Sequence, residues 1–123
     1  MKHIIVAEDD PGIRDIFKII LERAGYEVTS YSNGETLMEN NFTAPHIFIL
    51  DKQLPGIDGL EVCRFLKSQE STKNIPVIVV SASPYISGLS SNAGADDFIE
   101  KPFKGKFLIE LIEKHTKKKD AAQ

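Results

Sequence analysis

His46-Ile47-Phe48-Ile49-Leu50-Asp51 runs into Lys52-Gln53-Leu54-Pro55-Gly56-Ile57-Asp58-Gly59 and then into Leu60-Glu61-Val62-Cys63-Arg64-Phe65-Leu66-Lys67-Ser68. The order of events along this stretch decides the fold. His46–Leu50 is almost wholly apolar, as expected of a strand covered on both faces. Asp51 stands at the carboxyl end of that strand. Pro55-Gly56 and Asp58-Gly59 carry turn chemistry. Asp58 followed by Glu61 reads as a capping box for a helix over Gly59–Ser68, with Leu60, Cys63, Phe65 and Leu66 on its apolar side. A doubly covered strand that hands over to a helix is half of a βαβ unit.

The same alternation extends in both directions. Upstream, His3–Ala7 is another near-continuous apolar run. Asp10-Pro11 then opens a helix, with the carboxylate at the cap and the proline in the first turn. Ile13, Phe17, Ile20 and Ala24 recur at helical spacing, and Gly25 ends the run. Tyr26–Tyr31 is a more polar strand and a candidate sheet edge. Asn33-Gly34 marks a turn, and Glu35–Asn41 a short helix ahead of Ala44-Pro45.

Downstream, Ile75–Val80 is a fourth strand, and Ser81–Asn92 is Ser-rich and poor in helix formers. Phe98–Glu100 is a fifth strand. Lys101-Pro102 breaks the chain, and a last helix over Lys104–Lys117 presents Phe107, Leu108, Leu111, Ile112 and His115 to the core. Five strands and five helices in alternation imply one parallel sheet with helices on both faces, since parallel strands need right-handed crossovers. A domain is expected over 1–117, with a short polar tail over 118–123 and no second domain after it.

Composition narrows the function classes. The chain has 123 residues, 15 Lys and Arg against 18 Asp and Glu, and a net charge of -3. Its one basic run, Lys117-Lys118-Lys119, reads as a solvated tail, so no duplex-binding stripe is present. No apolar run is long enough for a bilayer, and the N-terminus leads into a strand, not a signal peptide. Cys63 alone builds no disulfide framework and reads as core filling, which fits a reducing compartment. A cytoplasmic protein without a membrane contact is expected.

In open α/β sheets, ligands bind beyond the carboxyl ends of the strands. Here those ends carry Glu8-Asp9-Asp10 after the first strand, Asp51 after the third, Ser81 after the fourth and Lys101 after the fifth. Clustered carboxylates repel unless a cation sits among them. Hard oxygen donors suit Mg²⁺, which keeps several waters and can meet a phosphoryl oxygen. Ser81 and Lys101 can donate to such an oxygen, and a carboxylate can attack phosphorus to give an aspartyl phosphate. The rim could therefore hold a phosphorylation site. Singly, Glu8 reads as a solvated charge, Asp51 as a turn residue, Ser81 as a turn hydroxyl and Lys101 as a surface lysine.

Four stretches in sequence order decide among these readings. Ala7-Glu8-Asp9-Asp10, Asp51 through Gly59, Val80-Ser81-Ala82 and Gly94-Ala95-Asp96-Asp97-Phe98-Ile99-Glu100-Lys101-Pro102-Phe103 together resemble the signature of response regulator receiver domains, in a stand-alone, chemotaxis-regulator-like form. The resemblance implies a doubly wound, flavodoxin-like sheet of strand order 2-1-3-4-5. It implies that Asp51 is the phosphoacceptor, that Asp9 binds Mg²⁺ directly with Glu8 helping through water, that Asp51 belongs to the same metal set, and that the Gln53 carbonyl completes the protein's ligands. Ser81 and Lys101 would hold the phosphoryl group, the Lys101–Pro102 bond would be cis, and Ser81 and Phe98 would form the switch.

The donor would be a sensor histidine kinase or a histidine phosphotransfer protein, and the output an unidentified downstream protein, with no DNA-binding domain in this chain. Such a domain is not a conventional enzyme but catalyses its own phosphorylation and dephosphorylation. Ser81 stands where Thr is more frequent, Phe98 where Tyr is, and the stretch from Ser81 to Gly94 is about one residue short. An alternative is a receiver fold that only binds partners. That would predict loss of an acid, the hydroxyl or the lysine, and all are present. A flavin carrier of similar topology would need a Ser/Thr/Gly-rich phosphate loop where this chain has three acids.

Overall fold

In a computed structural model, which describes residues 1–121 and side chains as far as residue 116, strands and helices alternate throughout. In chain order they are β1 (His3–Ala7), α1 (Pro11–Arg23), β2 (Glu27–Tyr31), α2 (Glu35–Met38), β3 (Ile47–Asp51), α3 (Gly59–Ser68), β4 (Val77–Ser81), α4 (Ile86–Asn92), β5 (Asp97–Glu100) and α5 (Gly105–Ala121). The strands form one parallel sheet in the order β2-β1-β3-β4-β5, as expected. The chain winds outward from β1 to β2, then crosses back to β3 and proceeds the other way. The crevice at that reversal opens at the strands' carboxyl ends.

The two-residue period of a strand sorts the core into two layers. Ile5, Ala7, Phe48, Leu50, Val77 and Val79 face Leu37, Leu60, Val62, Cys63, Leu66 and Ile86. Ile4, Val6, Ile47, Ile49, Ile78, Val80 and Ile99 face Phe17, Leu21, Leu108, Leu111 and Ile112. The central strands β3 and β4 are buried along their whole length, which is why they carry unbroken apolar runs. Complete burial of one such side chain contributes about 1.5–3 kcal/mol.

Boundaries differ from the sequence reading in informative ways. β3 and β4 each end one residue later than expected, so Asp51 and Ser81 are the last residues of their strands. Pro76 cannot donate to a ladder, and β4 starts just after it, although its carbonyl still accepts from Phe48 N–H at 2.9 Å. α2 covers four residues rather than seven, and the chain turns at Asn40 with φ +57°.

Asp10 caps α1 as expected, accepting from Ile13 N–H at 3.0 Å. The buried residues of α1 are Phe17 and Leu21, while Ala24 is exposed. Asp58 caps α3 by accepting from Leu60 N–H at 2.7 Å. The reciprocal arm of the expected box does not form, because Glu61 turns to Arg64 instead. On α5, Phe107 is exposed rather than in the core. On α4, Ser90 is buried and Leu89 is exposed. α5 runs as far as Ala121, through the first part of the expected tail; residues 122 and 123 of that tail, and the side chains of the basic run 117–119, lie outside the described residues.

Candidate functional site

Three strand ends converge at the crevice. β1 delivers Glu8 and Asp9, β3 delivers Asp51, and the residue after β5 is Lys101. One carboxylate oxygen from each of Glu8, Asp9 and Asp51 lies within 4.8 Å of the others. Glu8 and Asp51 are buried, at 1% and 6% exposure, whereas Asp9 is exposed at the rim. Lys101 reaches back over the sheet. Its ammonium donates to Asp51 Oδ2 at 2.7 Å and to Glu8 Oε1 at 3.0 Å.

Backbone bonds hold these groups in place. Lys101 N–H donates to Ser81 O at 2.8 Å, tying the loop after β5 to the end of β4. Lys52 N–H donates to Val80 O at 2.8 Å, and Gln53 N–H to Asp51 Oδ1 at 3.0 Å. The Lys101–Pro102 peptide bond is cis, as the resemblance implies. Gly59 makes the close approach of α3 possible: a Cβ there would lie 2.0 Å from the Asp51 carbonyl oxygen. Only a residue without a side chain can sit there.

The electrostatics show a site short of positive charge. The Glu8 carboxyl is pushed up to about 7, first by burial and then by Asp51 beside it, against the opposing pull of Lys101 and the Asp10 N–H. Burial pulls Lys101 down, but its bonds to Asp51 and Glu8 outweigh that and hold it above the usual lysine value. One ammonium thus serves two buried carboxylates with a third at the rim. An all-oxygen acidic donor set with a surplus of negative charge fits a hard divalent cation such as Mg²⁺.

Beside Asp51 opens a cleft of about 350 Å³ lined by Lys52, Gln53, Ser81, Ala82, Ser83, Leu89 and Lys101 as well as Asp51 itself. Ser81 therefore faces the same space as the two charged groups. Its hydroxyl accepts from Ser83 N–H at 3.0 Å. Gln53 is exposed on the loop after β3. Phe98 does not join the cluster. It lies on β5, 37% exposed, in a surface groove shared with Phe103 and Phe107.

Sequence reasoning missed three contributors. One is the ion pair between Glu8 and Lys101, which are 93 residues apart. Another is the Gly59 contact. The third is Arg14, whose Nη1 donates to the carbonyls of Glu8 at 2.9 Å and Asp9 at 3.4 Å. Helical side chains lean toward the N-terminus, so a long cationic residue one turn into α1 was a signal for a contact with the preceding loop.

Comparison with known proteins agrees with this geometry. A family model described as the response regulator receiver domain matches residues 4–113. The transcriptional regulatory protein CseB of Streptomyces coelicolor is 41% identical over 116 residues, covering 89% of this chain and 47% of that protein. The alkaline phosphatase synthesis transcriptional regulatory protein PhoP of Bacillus subtilis is 35% identical, covering 83% of this chain and 43% of that protein. This chain thus spans about half the length of the curated relatives it matches. Among solved structures, the response regulator TrrA of Thermotoga maritima, in complex with Mg²⁺ and BeF, is 37% identical with a TM-score of 0.83, covering 94% of this chain and 99% of that one. The receiver domain of a signal transduction histidine kinase from Syntrophus aciditrophicus is 34% identical with a TM-score of 0.87, covering 95% of this chain and 91% of that one.

Proposed function

The chain belongs to the response regulator receiver domain family, and from that premise we propose that Asp51 accepts a phosphoryl group from a histidine kinase or a histidine phosphotransfer protein. The observation that carries this reading is the placement of Asp51. It is a buried carboxylate at the carboxyl end of the central strand, bonded by Lys101 at 2.7 Å and grouped with Glu8 and Asp9.

The roles follow from that placement. A carboxylate oxygen of Asp51 forms the new bond to phosphorus as the bond to the donor nitrogen breaks. Lys101 already bonds Asp51 and is placed to follow the negative charge onto a phosphoryl oxygen. Ser81 lines the same cleft with a hydroxyl that can turn to donate. Glu8, Asp9, Asp51 and the carbonyl of Gln53 would hold Mg²⁺. When bound, that ion supplies positive charge beside the phosphoryl oxygens. Until then, the Lys101 ammonium is bonded to both buried carboxylates.

The output is a change in partner binding. The face made by α4, β5 and α5 carries exposed Leu89, Phe98 and Phe107, and this is the surface proposed to respond, with Ser81 and Phe98 as the switch. No helix among the described residues is long and apolar enough to cross a membrane, and a cytoplasmic site of action fits the single buried thiol. The test is phosphotransfer from purified histidine kinases to the wild type and to Asp51→Asn in millimolar Mg²⁺. Transfer to the wild type with none to the variant is expected. Equal labelling of both would overturn the assignment.

A further inference from the structure

We infer that Arg14 is a positioning residue for the cation-holding pair, fixing the backbone from which Glu8 and Asp9 project. The inference rests on the Mg²⁺ reading of the site. Glu8 and Asp9 sit where β1 gives way to α1, a junction where the chain leaves the sheet ladder. On the sheet side, Glu8 N–H still donates to Tyr31 O at 3.0 Å. Beyond that bond the carbonyls of Glu8 and Asp9 have left the ladder, and Arg14 collects both, at 2.9 and 3.4 Å from one nitrogen. The half-buried guanidinium thus ties the first turn of α1 to the residues just before it. Among the described residues Arg14 forms no ion pair, and both of its side-chain hydrogen bonds go to these carbonyls.

The sign of its effect separates position from charge. Arg14 brings a positive charge to the backbone of Glu8 and Asp9. If it acted through that charge, removing it would tighten the binding of a dication. If it acts by holding the junction, removing it weakens binding, because two of the ligand-bearing residues lose a fixed geometry. Removal of a group that orients metal ligands commonly costs ten- to a hundredfold in affinity. The two accounts therefore predict opposite directions.

Isothermal titration with MgCl₂ should be run on wild type, Arg14→Met and Arg14→Lys. The methionine keeps the aliphatic stem and removes the donors, and the lysine restores a donor and the charge. The expected result is about tenfold or greater weakening in Arg14→Met and partial recovery in Arg14→Lys. Hydrogen exchange in chelator gives a metal-free readout. The Glu8 and Asp10 amides should exchange faster in Arg14→Met, with the Leu50 amide of β3 unchanged.

Unchanged or tighter Mg²⁺ binding by Arg14→Met overturns the inference, as does unaltered exchange at Glu8 and Asp10. If Arg14→Met does not fold, Arg14→Lys decides. It must bind more weakly than wild type, and equality overturns the proposal. Wild type that binds no Mg²⁺ overturns the cation reading itself, a failure distinct from that of Arg14, and the exchange comparison then still decides whether Arg14 holds the junction.

Discussion

Replacing Glu8 by glutamine is expected to stabilise the metal-free protein at pH 8 while weakening its response to Mg²⁺. Glu8 is 1% exposed, with Lys101 at 3.0 Å from one oxygen and Asp10 N–H at 3.2 Å from the other. Its carboxyl is raised from 4.5 to about 7, chiefly by burial. Above pH 7 the folded protein holds a charge that the unfolded chain solvates better. Below pH 4.5 the carboxyl is protonated in both states and the penalty is gone. The wild type therefore loses stability relative to the glutamine variant as pH rises from 4.5 to 7. The displacement corresponds to about 3 kcal/mol, at about 1.4 kcal/mol for each factor of ten. That net displacement already includes the opposing pull of Lys101, so the gain expected for the glutamine variant at pH 8 is of the same order, about 3 kcal/mol. Urea unfolding followed by circular dichroism in chelator should show that gain at pH 8 and little difference at pH 4.5. Saturating Mg²⁺, worth about 2.7 kcal/mol at a hundredfold excess over its dissociation constant, should favour the wild type more than the variant. A variant less stable than wild type by the same amount at both pH values would refute the idea that the charge of Glu8 is a cost to the fold.

Three further outcomes are expected. Gly59→Ala should lower stability by about 1–3 kcal/mol in urea unfolding, since its Cβ would meet the Asp51 carbonyl at 2.0 Å and α3 must move away. Asp97→Asn should cost stability at pH 6 and progressively less toward pH 3. Burial raises the Asp97 carboxyl, but bonds from His115 and from Phe98 N–H outweigh it, so the net shift is downward. A lowered carboxyl stabilises fully above its ordinary value of 3.8 and stops doing so as pH falls through the lower folded value; paired urea curves at the two pH values measure this. Hydrogen exchange should find the amides from Tyr85 to Asn92 less protected than those of α1, and altered by a beryllofluoride mimic. α4 has no side-chain cap, Gly88 lies in its middle, and Tyr85 and Leu89 are exposed.

Most of the fold was legible because its signals are local. Near-continuous apolar runs locate β1, β3 and β4, and the Asp10-Pro11 and Asp58-Gly59 pairs locate the starts of α1 and α3. Asp51 stands out locally as a carboxylate where an apolar run stops, but singly it reads as a turn residue, and its role comes from the resemblance of the four stretches together. Helix faces were less legible. Phe107 is exposed and Ser90 buried because the residue turned inward depends on where the helix lies against the sheet, and a local apolar pattern does not encode that. The open arm of the α3 cap is the same kind of miss, since it depends on which neighbour wins a side chain, as when Arg64 takes Glu61. Within the site, the acids and the lysine could be named from the sequence, but their mutual arrangement could not. The pairing of Lys101 with Glu8, the support from Arg14 and the bare backbone of Gly59 against Asp51 exist only once distant segments meet.

Of the carboxylates at the rim, Asp51 is the one proposed to take the phosphoryl group. The most direct measurement is to phosphorylate the protein with acetyl phosphate and Mg²⁺, trap the acyl phosphate by borohydride reduction and map the modified peptide by mass spectrometry. Modification is expected at residue 51 alone, lost on hydroxylamine treatment before trapping and absent from Asp51→Asn. A phosphoryl group that survives hydroxylamine, or one mapped to Asp9, Asp10 or Asp58 in the wild type, would contradict it.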